Sequence, residues 1–155
     1  YPLDMNLYQA VKGMAAAARI VKEGGTIILA AECSEGVPAG SPHDQFLRST
    51  KNGADVLRRL AEPGVSRPEQ WQAQIQALIQ RRAAIYLFSS LPDEVVRGAH
   101  LEPCHDIAQL VAKLMTNHGE GARVAVLPQG PLTIPYLAET FTQTGSQSVS
   151  RVRPA

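Results

Sequence analysis

The feature that most constrains this chain is an alternation: segments with helical periodicity are separated by short, continuous apolar runs rich in β-branched residues. Thr26-Ile27-Ile28-Leu29-Ala30-Ala31 is the clearest of these runs. It lacks the in-and-out alternation of a half-solvated strand and reads as a strand buried on both faces of a parallel sheet. Ala83 to Ser89 reads the same way, and Arg123-Val124-Ala125-Val126-Leu127 reads as a third strand. Before the first run, Leu7, Val11, Met14, Ala18 and Val21 recur at helical spacing and Ala15 to Ala18 adds helix propensity, which predicts a helix over 6–22. Asn6 or Asp4 can cap it, and Gly24-Gly25 permits the reversal that follows. Further helices are predicted near 44–50 and 53–61. A longer one over 67–82 is opened by Ser66 as cap with Pro68 in its first turn. Pro92 opens another short helix, and Ile107, Leu110, Val111 and Leu114 mark the apolar face of one over 105–118. Helices alternating with apolar strands define an α/β class, here a three-layer Rossmann-like sandwich with a mainly parallel sheet of at least three strands flanked by helices.

At 155 residues the chain suits one domain with its own core. The structured domain is expected over 1–137, with a weakly structured tail over 138–155, where Ser, Thr and Gln replace apolar residues. The opening on Tyr1 rather than Met reads as a cut through a longer protein. Fifteen basic and fourteen acidic side chains leave a formal charge of +1 with no basic block, which gives nucleic-acid binding no electrostatic support. No apolar run approaches the roughly 20 residues needed to span a bilayer, and no signal-peptide pattern opens the chain, so a cytoplasmic protein is the expectation. Cys33 and Cys104 lie far apart without metal-ligand spacing and are expected as free thiols. His43, His100, His105 and His118 are scattered, with no pair at ligand spacing, and read as surface or capping residues. No metal-binding or cofactor-binding residues are expected in this chain.

Chemistry concentrates near the start. In a helix, Tyr8 and Lys12 stand four apart and Gln9 and Lys12 three apart, so one face presents a phenol, an amide and an ammonium together. That trio suits an oxyanion such as a carboxylate: Lys supplies charge, Gln an N–H donor that does not titrate, and Tyr a hydroxyl on an apolar body. The nearby helix N-terminus would add backbone donors and a favourable dipole. Spacing alone equally allows a solvated helix face with Tyr8 half-buried. The polar loop Glu32 to Gly40 leaves the C-terminal end of the first strand, where open α/β sheets tend to bind ligands. Glu32, Ser34 and Glu35 in that loop can serve as solvated or capping groups rather than catalysts. Gly24-Gly25 precedes a strand instead of following one, so it makes no dinucleotide fingerprint.

Several separated stretches, in order, carry a resemblance. They are Tyr1 to Met14, Ala16-Ala17-Ala18-Arg19-Ile20-Val21-Lys22, Gly24 to Ile28, Ala31-Glu32-Cys33-Ser34-Glu35-Gly36, Gln70-Trp71-Gln72, Leu127-Pro128-Gln129-Gly130-Pro131 and Thr133-Ile134-Pro135-Tyr136. Together they make the chain similar to the C-terminal domain of the nickel-pincer lactate racemases and related 2-hydroxyacid racemases and epimerases. The resemblance implies an isomerase that removes hydride from C2 of a 2-hydroxy acid and returns it to either face. The nickel pincer nucleotide would be held by an N-terminal domain absent from this chain, whose paired histidines act as acid and base at the hydroxyl.

In that family the C-terminal domain closes over the site, and its Tyr-Gln-x-x-Lys element, here Tyr8, Gln9 and Lys12, supplies substrate contacts. Lys12 would pair with the substrate carboxylate or developing oxyanion and Gln9 would hydrogen-bond the same group. Tyr8 and Trp71 would form apolar walls, although a sole tryptophan can equally be a core anchor. The implied partners are the chain's own N-terminal domain and a small 2-hydroxy acid, and the isolated chain is expected to be inactive. Two other readings start from the same residues: a non-catalytic α/β module that binds small anions, and a structural or assembly domain.

Overall fold

The computed structural model describes residues 2–65 and 68–135. The first helix, α1 (Leu7–Ala17), begins where Asn6 Oδ1 accepts from the Gln9 backbone N–H. Its buried stripe of Leu7, Ala10, Val11 and Met14 has the spacing of a single helical face. Leu7, Val11 and Met14 are fully buried, each contributing about 1.5–3 kcal/mol relative to an exposed side chain. The helix ends earlier than the periodicity predicts, because Ala18 caps it and a turn carries the chain to Gly24, whose φ of 73° suits glycine.

Strand β1 (Gly25–Ala30) follows, then α2 (Pro42–Arg48), α3 (Gly53–Leu60), α4 (Gln70–Gln80) and β2 (Ala83–Phe88). After these come α5 (Asp93–Gly98), a two-residue β3 (Glu102–Pro103), α6 (Ile107–His118) and a short 3-10 turn (Gly130–Leu132). The sheet order is β1-β2-β3 and all pairings are parallel, with Ile27 beside Ile85, Leu29 beside Leu87 and Tyr86 beside Glu102. This is the α/β architecture expected from the alternation of elements.

The main core joins α1 (Leu7, Val11, Met14) to the sheet (Ile27, Ile85, Leu87), to Ile79 of α4, and to Val96 and Leu101. A second cluster, Phe46, Val56, Ala73 and Ala77, binds α2, α3 and α4 together. In β1 only Ile27 is buried, and neither β1 nor β2 is buried on both faces as composition predicts: burial in β2 alternates, with Ala83, Ile85 and Leu87 buried and Ala84 and Phe88 exposed. Its buried positions are those that join the main core.

Two further expectations are corrected. Arg123–Leu127 forms no strand; Val124 is 59% and Val126 78% exposed. A β-branched run becomes a strand only where another backbone offers a ladder, and here β2 takes Glu102–Pro103 instead, continued by Cys104 N–H to Leu87 O at 2.9 Å. Proline is tolerated there because β3 is an edge strand. The long helix starts at Gln70 rather than near 67, after Glu69 adopts a left-handed φ of 62°. The proposed Ser66 cap lies outside the described residues, as does the tail over 138–155.

Candidate functional site

The N-terminal end of α1 is stitched to the loop that leaves β1. Leu7 N–H donates to Gly36 O at 3.0 Å, Cys33 N–H to Asp4 O at 2.8 Å and Glu35 N–H to Met5 O at 2.8 Å. Asn6 Nδ2 donates to Glu35 Oε2 at 3.2 Å, so Glu35 braces the start of the helix. Ser90 N–H and its hydroxyl both donate to Glu32 O, which ties the same loop to the end of β2. These bonds hold the first turn of α1 at the C-terminal edge of the parallel sheet, the edge at which α/β folds present ligand sites.

Within that turn the backbone donors are mostly committed: Leu7 N–H to Gly36, and Gln9 and Ala10 N–H to the side chain and carbonyl of Asn6. Only the Tyr8 N–H is left without an acceptor among the described residues, so side chains rather than a helix N-terminus define the site's polarity.

Tyr8, Gln9 and Lys12 are all half-buried. Lys12 Nζ donates to Gln9 Oε1 at 2.5 Å, which orients both side chains and leaves the amide nitrogen as Gln9's remaining donor group. No carboxylate pairs with Lys12 among the described residues. Beside them Trp71, 47% exposed, meets Tyr8 edge-to-face with ring centroids 6.0 Å apart. Trp71 is therefore a surface aromatic in contact with Tyr8 and not a core anchor. The phenol of Tyr8 titrates above its ordinary value, chiefly because burial disfavours the phenolate and secondarily because of the Glu69 charge.

Sequence reasoning missed what stands behind Tyr8. His43, expected at the surface or as a cap, is fully buried on α2 and meets the Tyr8 ring edge-to-face at 5.8 Å. Burial drives its pKa down to about 4, against weaker opposing contributions from Gln76 and Asp44. From α4, Gln72 Nε2 donates to Tyr8 O at 2.8 Å and Gln76 Nε2 to Ala99 O at 2.7 Å. Gln72 was visible in the Gln70-Trp71-Gln72 stretch; nothing in the sequence marked His43 or Gln76.

The other histidines are peripheral. His105 lies 3.1 Å from Asp93, His100 Nε2 lies 2.9 Å from Thr50 O, and His118 ends α6. Cys33 and Cys104 are free and buried. Among the described residues no group of three or more His, Cys, Asp or Glu side chains gathers in a way that could hold a metal ion. No helix among them is long and apolar enough to cross a membrane.

The chain is thus an α/β domain whose first helix carries the Lys12–Gln9 pair and the Tyr8–Trp71 ring contact, with no carboxylate on Lys12 among the described residues. The sequence profile of the lactate racemase C-terminal domain matches residues 1–134, and the chain belongs to that family. It is 32% identical over 133 residues to the lactate racemase of Thermoanaerobacterium thermosaccharolyticum and 35% identical over 133 residues to that of Lactiplantibacillus plantarum. Each alignment covers 84% of this chain and 31% of the relative, so the chain spans about a third of the length of the curated relatives it matches. The solved lactate racemase apoprotein from T. thermosaccharolyticum superposes with a TM-score of 0.67 at 34% identity, over 75% of this chain and 28% of that one.

Proposed function

We propose that this chain is the C-terminal, substrate-closing domain of a nickel-dependent 2-hydroxyacid racemase or epimerase of the lactate type. The observation that supports this most is the Lys12–Gln9 pair, joined at 2.5 Å beside the Tyr8–Trp71 aromatic pair and not neutralised by a carboxylate of the described chain. In this reading an N-terminal domain holds the nickel pincer nucleotide, which supplies hydride transfer at C2, and also the histidines that move the hydroxyl proton.

The work of the present domain is positional and electrostatic. Lys12, steadied by Gln9, directs its remaining ammonium donors at the substrate carboxylate, while Gln9 Nε2 donates to the same group. Fixing the carboxylate orients C2, and closing Tyr8 and Trp71 over the substrate removes water from one side, which strengthens both contacts. The ammonium also offsets negative charge that builds on the carboxylate-bearing half of the molecule during reaction. The test is Lys12→Ala in a protein that carries this domain with its N-terminal partner. Racemisation of lactate within a few-fold of the parent would remove the role given to Lys12.

A further inference from the structure

His43 presents a puzzle of burial. The side chain is fully buried, and neither ring nitrogen makes a well-formed hydrogen bond among the described residues, Gln76 being a weak side-chain partner only. Its polar neighbour Gln76, 1% exposed, is held by the bond to Ala99 O and likewise has an Oε1 without a donor. Buried polar groups without partners are costly, and an aliphatic side chain of similar bulk would fill this space at less cost. What the imidazole does make is a ring contact, edge-to-face on Tyr8 at 5.8 Å, in addition to the contact Tyr8 makes with Trp71 at 6.0 Å. Tyr8 is thus gripped at three points: its ring by His43 of α2 and Trp71 of α4, its carbonyl by Gln72 of α4 at 2.8 Å. Lys12 lies one helical turn further along the same face.

We infer that His43 is a positioning residue: backed by Gln76, it fixes the Tyr8 ring and so sets the placement of that ring relative to the Lys12–Gln9 pair. The inference rests on the proposed function for its kinetic consequence but not for its structural one. The imidazole touches no substrate in this role and stays neutral at working pH, as its low pKa of about 4 requires. A planar ring at position 43 is the essential element, because the contact runs through the ring face and edge rather than through a nitrogen.

Two measurements test it. In this chain the ring-proton NMR signals of Tyr8 are expected away from unfolded-chain positions, because two aromatic rings flank it. His43→Ala should move them markedly while leaving those of Tyr86, on β2, in place; His43→Phe should keep Tyr8 displaced. Unmoved Tyr8 signals in a folded His43→Ala protein would overturn the inference. So would Tyr8 signals at unfolded-chain positions in a folded His43→Phe protein, which decides the matter should the alanine variant fail to fold. In the full-length racemase, His43→Ala should lower kcat/KM for lactate by about tenfold, mainly through KM, with His43→Phe restoring it to within about threefold. Equal kcat/KM in parent and alanine variant would also defeat the inference. Failure of the carboxylate site itself reads out separately: Lys12→Ala would then leave turnover intact while the Tyr8 signals still respond to position 43.

Discussion

Lys12 Nζ lies 2.5 Å from Oε1 of Gln9, three residues earlier on the same helix face. This contact makes two side chains behave as one donor group. A charge-assisted hydrogen bond contributes about 1.5–3 kcal/mol, so Lys12→Ala should reduce kcat/KM for a 2-hydroxy acid by roughly one to two orders of magnitude in a two-domain protein. Folding stability should change little because the ammonium is only half-buried. Steady-state kinetics with a thermal melt in parallel would check both expectations.

Gln9→Glu is expected to be more revealing than deletion. A carboxylate at this position would pair with Lys12 at the spacing now bridged by the amide, satisfying the ammonium internally and removing the Nε2 donor. KM should rise by about tenfold or more, while Gln9→Ala, which leaves Lys12 unneutralised, should raise it less. A lower KM in the glutamate variant would contradict the assignment.

Acid stability should carry the signature of His43. Its folded pKa of about 4 lies below its ordinary 6.5, so the unfolded chain binds the proton more readily than the folded one. The stability associated with keeping the ring neutral is fully present above pH 6.5 and is lost progressively as pH falls toward 4. The maximum loss is about 3 kcal/mol. The groups in contact with the ring or acting on its charge are Tyr8 from α1, Asp44 from α2 and Gln76 from α4. Urea denaturation between pH 7 and 4 should show this dependence in the parent and a flatter one in His43→Phe. Parallel curves would show that His43 does not titrate on unfolding.

Gly53→Ala tests the second core without touching the site. A Cβ there would stand 2.7 Å from Gln80 Oε1 and 3.2 Å from the Cα of Ala77, where α3 approaches the backbone of α4. Backbone cannot give as a side-chain tip can, and the variant should lose about 1–3 kcal/mol of stability despite the better helix propensity of alanine. Its kinetic constants for lactate in a two-domain protein should match those of the parent, and chemical denaturation would measure the loss.

Cys33 should resist thiol reagents in the folded chain. Burial, and secondarily the Asp4 carboxylate, push its pKa up to about 11, leaving almost no thiolate at neutral pH. Alkylation by iodoacetamide at pH 8 should be slow until denaturant is added; rapid native-state labelling of Cys33 would show that the loop after β1 opens.

Most of the helices and the first two strands were legible from periodicity, because each of those elements carries its own pattern: the Leu7, Val11, Met14 stripe or the Thr26 to Ala31 run. The Lys12–Gln9 pair was legible for the same reason, being local to one helix. The third strand was not. Arg123–Leu127 has the right composition but no paired backbone, whereas Glu102–Pro103 has no strand-like composition and is made a strand by the free edge of Tyr86 and Leu87. His43 was hidden for a related reason: its burial depends on α1, α2 and α4 meeting, and two of those helices are separated from it by long stretches of sequence. Trp71 was ambiguous between wall and core until its neighbour Tyr8 was placed.

The bond from Gln72 to the Tyr8 carbonyl spans 64 positions of sequence and links the middle of the domain to its first helix. On the proposed function, changes along α4 that shift this bond would tilt the Tyr8 ring against the substrate. A lineage adapting to bulkier or smaller acids could then retune its selectivity there and leave Lys12 untouched.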